Sequence, residues 1–91
     1  MEIGDAMTVL SALSQSTRYR CVSHLVGHGR CTAGDLAVVL GVPANTMSSH
    51  LTILSHAGLV KSTREGRNIV YEAVIEPLSA LVAELGRLMP R

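Results

Sequence analysis

A mainly α-helical domain with one β-hairpin is the fold class that three observations predict. Five stretches of the chain place apolar residues at helical spacing. Two extended runs flank the turn Glu65-Gly66-Arg67 late in the sequence. The 91 residues amount to one domain, taken as residues 1–91, with no linker, repeat or low-complexity run.

The elements follow in order. Ile3, Met7, Leu10 and Leu13, with Ala6 and Val9, make residues 3–14 an amphipathic helix. Ser16-Thr17 offers an N-cap to a second helix carrying Cys21, Val22, Leu25 and Val26, which the Gly27/Gly29 pair closes. Thr32 can cap a short third helix through Leu36, Ala37 and Leu40, which Gly41 ends. Pro43 starts a fourth helix, where its missing N–H costs nothing. Met47, Leu51 and Leu54 form its apolar stripe and Gly58 its stop. Residues 59–64 and 68–74 read as the two strands. Pro77 opens a last helix, with Leu78, Leu81, Val82, Leu85, Leu88 and Met89 on one face.

Composition excludes several classes. The chain is 47% hydrophobic, too apolar for a disordered tail. Two tyrosines, with no Trp or Phe, leave nothing for an aromatic cage or a base-stacking platform. A net charge of +1 excludes a strongly basic nucleic-acid coat protein, but local clustering decides DNA binding. No run reaches 18 apolar residues, and Met1-Glu2-Ile3-Gly4-Asp5 lacks the basic flank of a signal peptide. A soluble cytoplasmic protein is expected. Nucleophile elbow, phosphate loop and H-E-x-x-H are all missing, so no enzyme is read here. A chain this short buries only about 60–65% of its unfolded surface, so a partner chain is expected.

The third and fourth helices, joined by a tight turn at Gly41, form a helix-turn-helix candidate. The second helix of that motif enters the major groove by its N-terminal residues, here Ala44, Asn45, Thr46, Ser48, Ser49 and His50. Asn45 can bond an adenine edge, the hydroxyls can bond several bases, and the Thr46 methyl can touch thymine. The bland alternative is a capped surface helix with an ordinary polar start. The hairpin that follows reads as a wing. Its tip, Arg64-Glu65-Gly66-Arg67, carries two guanidiniums toward phosphates or a minor groove. With Lys61, three of the eight basic residues fall within seven positions. A solvated hairpin whose charges protect an edge strand is the alternative.

The sequence resembles the ArsR/SmtB family of winged-helix repressors from Leu10 to Leu88. The resemblance rests on Ala12-Leu13-Ser14-Gln15-Ser16-Thr17-Arg18, Gly34-Asp35-Leu36-Ala37, Leu40-Gly41-Val42-Pro43, Ser48-Ser49-His50-Leu51, Leu54-Ser55-His56-Ala57-Gly58-Leu59-Val60 and Arg64-Glu65-Gly66-Arg67. It implies a homodimer on double-stranded DNA at an inverted-repeat operator, released by a small inducer. Residues 3–14 and 77–89 would supply the dimer interface. Base contacts would map onto Ala44, Asn45, Thr46, Ser48, Ser49 and His50, with His50 touching a phosphate or packing at the helix base. Arg18, Lys61, Arg64 and Arg67 would meet the DNA backbone. The chain departs from the pattern at Ala44, where many members carry Gln, and at Ser49, where many carry Arg. From Pro43 to Ala57 there is no Lys or Arg, so DNA shape would carry part of the specificity. That lack of charge also motivates the alternative of a winged-helix module that docks proteins and binds no DNA.

The family's inducer sites are not matched. Its E-L-C-V-C-D-L stretch is here Arg30-Cys31-Thr32-Ala33-Gly34-Asp35-Leu36, with Thr32 and Gly34 where the ligand cysteines belong. A soft thiophilic metal wants two or three thiolates. Residues 77–91 hold no His or Asp for the last-helix zinc site, and Leu88-Met89-Pro90 replaces the terminal cysteine pair of short arsenic-responsive members. One metal constellation is left: Cys21, His24, His28 and Cys31 would share a face of an ideal helix, and Cys₂His₂ suits zinc. The alternative makes Cys21 a small core hydrophobe, with Gly27 and Gly29 breaking the helix before Cys31. A Cys21–Cys31 redox switch needs Cα atoms within about 7 Å and a lowered thiol pKa. A metal, metalloid or redox inducer is left open.

Overall fold

The computed structural model describes residues 1–90. Five helices and a three-stranded sheet follow the expected order: α1 Ile3–Leu13, α2 Ser16–His28, β1 Cys31–Thr32, α3 Ala33–Leu40, α4 Ala44–His56, β2 Val60–Glu65, β3 Asn68–Ala73 and α5 Ile75–Gly86. Each helix turns a small apolar set inward. Ala6, Val9 and Ala12 of α1, Cys21, Val22 and Leu25 of α2, Leu36, Ala37 and Leu40 of α3 and Met47, Leu51 and Leu54 of α4 meet in one core with Leu59, Val60 and Leu81. Leu36, Leu54 and Leu59 are wholly inaccessible to solvent.

The helix ends show where local chemistry sets the path. Gln15, not Ser16-Thr17, caps α2: its Oε1 accepts from the Arg18 backbone N–H at 3.0 Å. The helix then runs through Gly27 and stops at Gly29, whose φ of 84° suits only glycine. Thr32 caps α3 as expected, accepting from the Asp35 N–H at 3.1 Å. Gly41, at φ 68°, then reverses the chain while the Val42 N–H donates to the Ala37 carbonyl at 3.0 Å. Pro43 is the N-cap of α4 rather than its first helical residue. The same type of closure ends α4, with the Leu59 N–H on the Leu54 carbonyl at 3.0 Å.

Two boundaries differ from the sequence expectation. A short strand, β1, pairs antiparallel with β3 through Cys31↔Tyr71 and Thr32↔Val70, so the hairpin is part of a sheet ordered β1-β3-β2. Two residues are too few to show alternation, and Cys31 was expected on a helix or in a loop. At the other end α5 begins at Ile75, leaving Pro77 within the first turn, and stops at Gly86. Leu88 and Met89 therefore lie beyond the helix, in turns closed by bonds from their N–H groups to Leu85 and Gly86. Gly86 weakens the helix, and Pro90 cannot continue it.

The apolar stripes at the two ends of the chain are only half used. Ala6, Val9, Ala12 and Leu81 face the core, whereas Ile3 is 75% and Val82 71% exposed, with Met7 and Leu85 also open to solvent. α1 packs against α5, and the Met1 ammonium lies 3.8 Å from Glu84. No single helix is long and apolar enough to cross a membrane among the described residues.

Candidate nucleic-acid interface

α3 and α4 meet at 110°, within the range of a helix-turn-helix. Burial of Met47, Leu51 and Leu54 fixes which face of α4 points in. Ala44, Asn45, Thr46, Ser48 and Ser49 consequently stand exposed, and His50 is half-buried. Pro43 has no side-chain acceptor to cap α4, so the N–H groups of Ala44 and Asn45 stay open to an anion. The hydroxyls are partly occupied within the helix: Ser49 donates to the Asn45 carbonyl at 3.3 Å, and Thr52 to Ser48 at 3.0 Å. Asn45 Oδ1 accepts from the Thr46 N–H at 3.0 Å, leaving its amide N–H groups outward.

The wing is a regular antiparallel ladder from Val60↔Ala73 to Glu65↔Asn68. Gly66, at φ 63°, takes the first turn position and Arg67 the second, the residue pattern of a tight two-residue hairpin loop. Alternation separates the basic residues. Lys61 lies opposite Glu72 and pairs with it at 3.7 Å. Arg64 points to the other face, opposite Ile69, and Arg67 sits on the turn. Among the described residues neither Arg64 nor Arg67 has a carboxylate partner, so both are available to phosphate. Glu65 is bound by Arg30 from the α2–β1 loop, and each side chain is about half exposed (48% and 49%). Arg30 was not singled out in the sequence. Its partner is 35 residues away, and β1, which brings it to the wing, left no pattern.

Arg18 lies where α1, α2 and α4 meet. Its guanidinium turns inward, Nε donating to the Ala12 carbonyl at 2.7 Å and Nη2 to the Ser11 carbonyl at 3.4 Å. Nη1 lies 3.3 Å from His50 Nδ1. The side chain ties the end of α1 to α4, with its donors engaged within the chain.

A helix-turn-helix domain family matches residues 13–63, from the end of α1 into the wing. The chain is 31% identical over 81 residues to the HTH-type transcriptional regulator YgaV of Escherichia coli, covering 89% of this chain and 82% of that protein. It is 38% identical over 74 residues to CmtR of Mycobacterium tuberculosis, covering 81% of this chain and 62% of CmtR, so it spans under two thirds of that relative. A solved structure from Mycobacterium bovis, the homodimeric winged helix-turn-helix DNA-binding domain of a possible ArsR-family regulator, superposes with a TM-score of 0.78. It is 26% identical, and the match covers 94% of this chain and 79% of that one. The chain belongs to the ArsR/SmtB family. Its fold and order of elements are those of the family's winged helix-turn-helix transcriptional regulators.

Against that ArsR/SmtB frame, the candidate metal constellation comes apart. Cys21 faces the core at 0% exposure, and Cys31 lies on β1. His24 and His28 stack on the outer side of α2, ring centroids 4.3 Å apart. Among the described residues no three His, Cys, Asp or Glu side chains stand close enough to share a metal ion. Gly29 ends α2 before Cys31, and within α2 Cys21 is buried in the core while the two imidazoles stack on each other. Burial, with a smaller contribution from neighbouring Cys31, pushes the Cys21 thiol up to about 11, and burial followed by Asp35 raises that of Cys31. Both shifts oppose the thiolate that a redox switch needs.

Proposed function

We propose that this ArsR/SmtB chain is a homodimeric repressor that reads an inverted-repeat operator in the cytoplasm and is released by a small inducer. The exposed first turns of α4 enter the major groove, with Asn45, Thr46, Ser48, Ser49 and His50 at base edges or phosphates and Ala44 at close approach. Arg64 and Arg67 hold the flanking backbone or minor groove. Lys61 adds charge at the wing's base, partly offset by Glu72. The unused apolar faces of α1 and α5, spanning residues 3–14 and 77–89, form the dimer contact, in keeping with the homodimeric relative. The observation that carries the reading is the polar start of α4, with no cap from Pro43, beside a wing whose Arg64 and Arg67 meet no carboxylate among the described residues. No enzymatic role is assigned.

The test is fluorescence anisotropy on the duplex directly upstream of the chain's own gene, over a salt series, against a scrambled duplex. Salt-steep binding that prefers the native sequence is expected. The absence of Lys and Arg from α4 favours one other reading, a protein-docking module. Binding to neither duplex at low salt, together with capture of a defined protein partner, would establish it instead.

A further inference from the structure

The contact between Arg18 and His50 carries more information than a distance. A guanidinium has donors only, so a ring nitrogen facing it must be the one with the lone pair. At 3.3 Å from Nη1 that nitrogen is Nδ1. In the neutral ring the proton then resides on Nε2. The guanidinium is itself held, by the carbonyls of Ser11 and Ala12 at the negative end of α1. Its planar fork meets three acceptors from two helices at once, which a lysine ammonium does not do.

We propose that Arg18 is a positioning residue for the reading helix: it holds His50 as the Nε2–H tautomer, and so makes His50 a hydrogen-bond donor at the DNA surface. The consequence for DNA rests on the function proposed above. It matters because α4 has no Lys or Arg, so the donors in its first two turns are amide, hydroxyl and backbone groups plus the His50 imidazole N–H, His56 lying in the last turn. Phosphate oxygens, guanine O6 and N7, and thymine O4 all accept from such a group. The tie also couples α1, whose outer face meets the partner chain, to the helix that meets DNA.

The test begins without DNA. Two-bond ¹H–¹⁵N correlation on the labelled full chain at about pH 8, above the ordinary imidazole range, reports which ring nitrogen is protonated. A protonated Nε2 and a bare Nδ1 are expected for His50. Arg18→Met should move the ring toward a mixture of tautomers. Should that variant not fold, two substitutions of His50 replace it. His50→Asn keeps an acceptor for Arg18 but loses the distal N–H, whereas His50→Gln keeps the distal N–H. Asparagine should weaken operator binding about three- to tenfold, and glutamine clearly less. An Nδ1–H tautomer, a ring pattern unmoved by Arg18→Met, or asparagine binding as well as glutamine would overturn the proposal. Native-like ring signals in a chain that binds no DNA would sustain the Arg18 tie and refute the interface reading alone.

Discussion

Replacing both Arg64 and Arg67 by alanine removes two positive charges from each wing. The side chains are exposed and meet no carboxylate among the described residues, so the fold should hardly notice, within about 0.5 kcal/mol. DNA binding should notice a great deal. A dimer presents two wings, so the double substitution deletes roughly four phosphate contacts if every guanidinium is engaged. Each contact contributes about 0.9 to the slope of log K against log salt, so the slope should flatten by about 3 to 4. Anisotropy titrations at several salt concentrations measure it directly, with thermal unfolding as the control for folding. Loss of affinity should be greatest at low salt, where counterion release contributes most, and the variant and native curves should converge as salt rises. Lys61→Ala should flatten the slope less, because Glu72 already offsets part of that charge. An unchanged slope with an intact fold would refute the assignment of the wing to the DNA backbone.

Other outcomes test the fold that carries the site. Leu54→Ala, at a position with no solvent exposure on the inner face of α4, should cost about 2–5 kcal/mol in urea unfolding. Thr32→Ala removes the cap on the Asp35 N–H and should cost about 1 kcal/mol, with Thr32→Ser recovering most of it. Cys21 gives a pH signature. Its folded-state pKa is raised from 9.0 to about 11, so the folded chain holds a proton that the unfolded chain releases in that window. Stability should be insensitive to this thiol below about pH 9 and fall as pH rises from 9 to 11. Cys21→Val should remove that slope, and a slope that persists in the variant would assign it to another group. The buried thiol should also resist alkylation at neutral pH in the folded chain and react only after unfolding.

The order of elements was legible because each piece advertises itself locally. The helical spacing of Ile3, Met7, Leu10 and Leu13 with Ala6 and Val9, the Thr32 cap, the glycines at 41 and 58 and the turn at Gly66 are statements about neighbours a few residues apart. The polar start of α4 and the arginines of the wing belong to the same class. What the sequence did not show involves partners far along the chain. β1 exists because β3 offers it an edge, and two residues carry no period of their own. One difference is local: Gln15 caps α2 although Ser16 and Thr17 are better cappers by type, because the backbone already turns helical at Ser16.

The length, apolar spacing, turn residues and charge placement of the chain determined its fold class and the position of its candidate DNA surface, while its motifs carried the family resemblance. Tertiary structure alone decided which polar groups that surface has free. It turned Arg18 inward onto α1 and His50, 32 residues away, and bound Glu65 to Arg30 across 35 residues. It also buried Cys21 in the core and put Cys31 on β1, away from the stacked His24 and His28. Charged and ligating side chains act through space over a few ångströms, and only the packed chain fixes which groups come within that range.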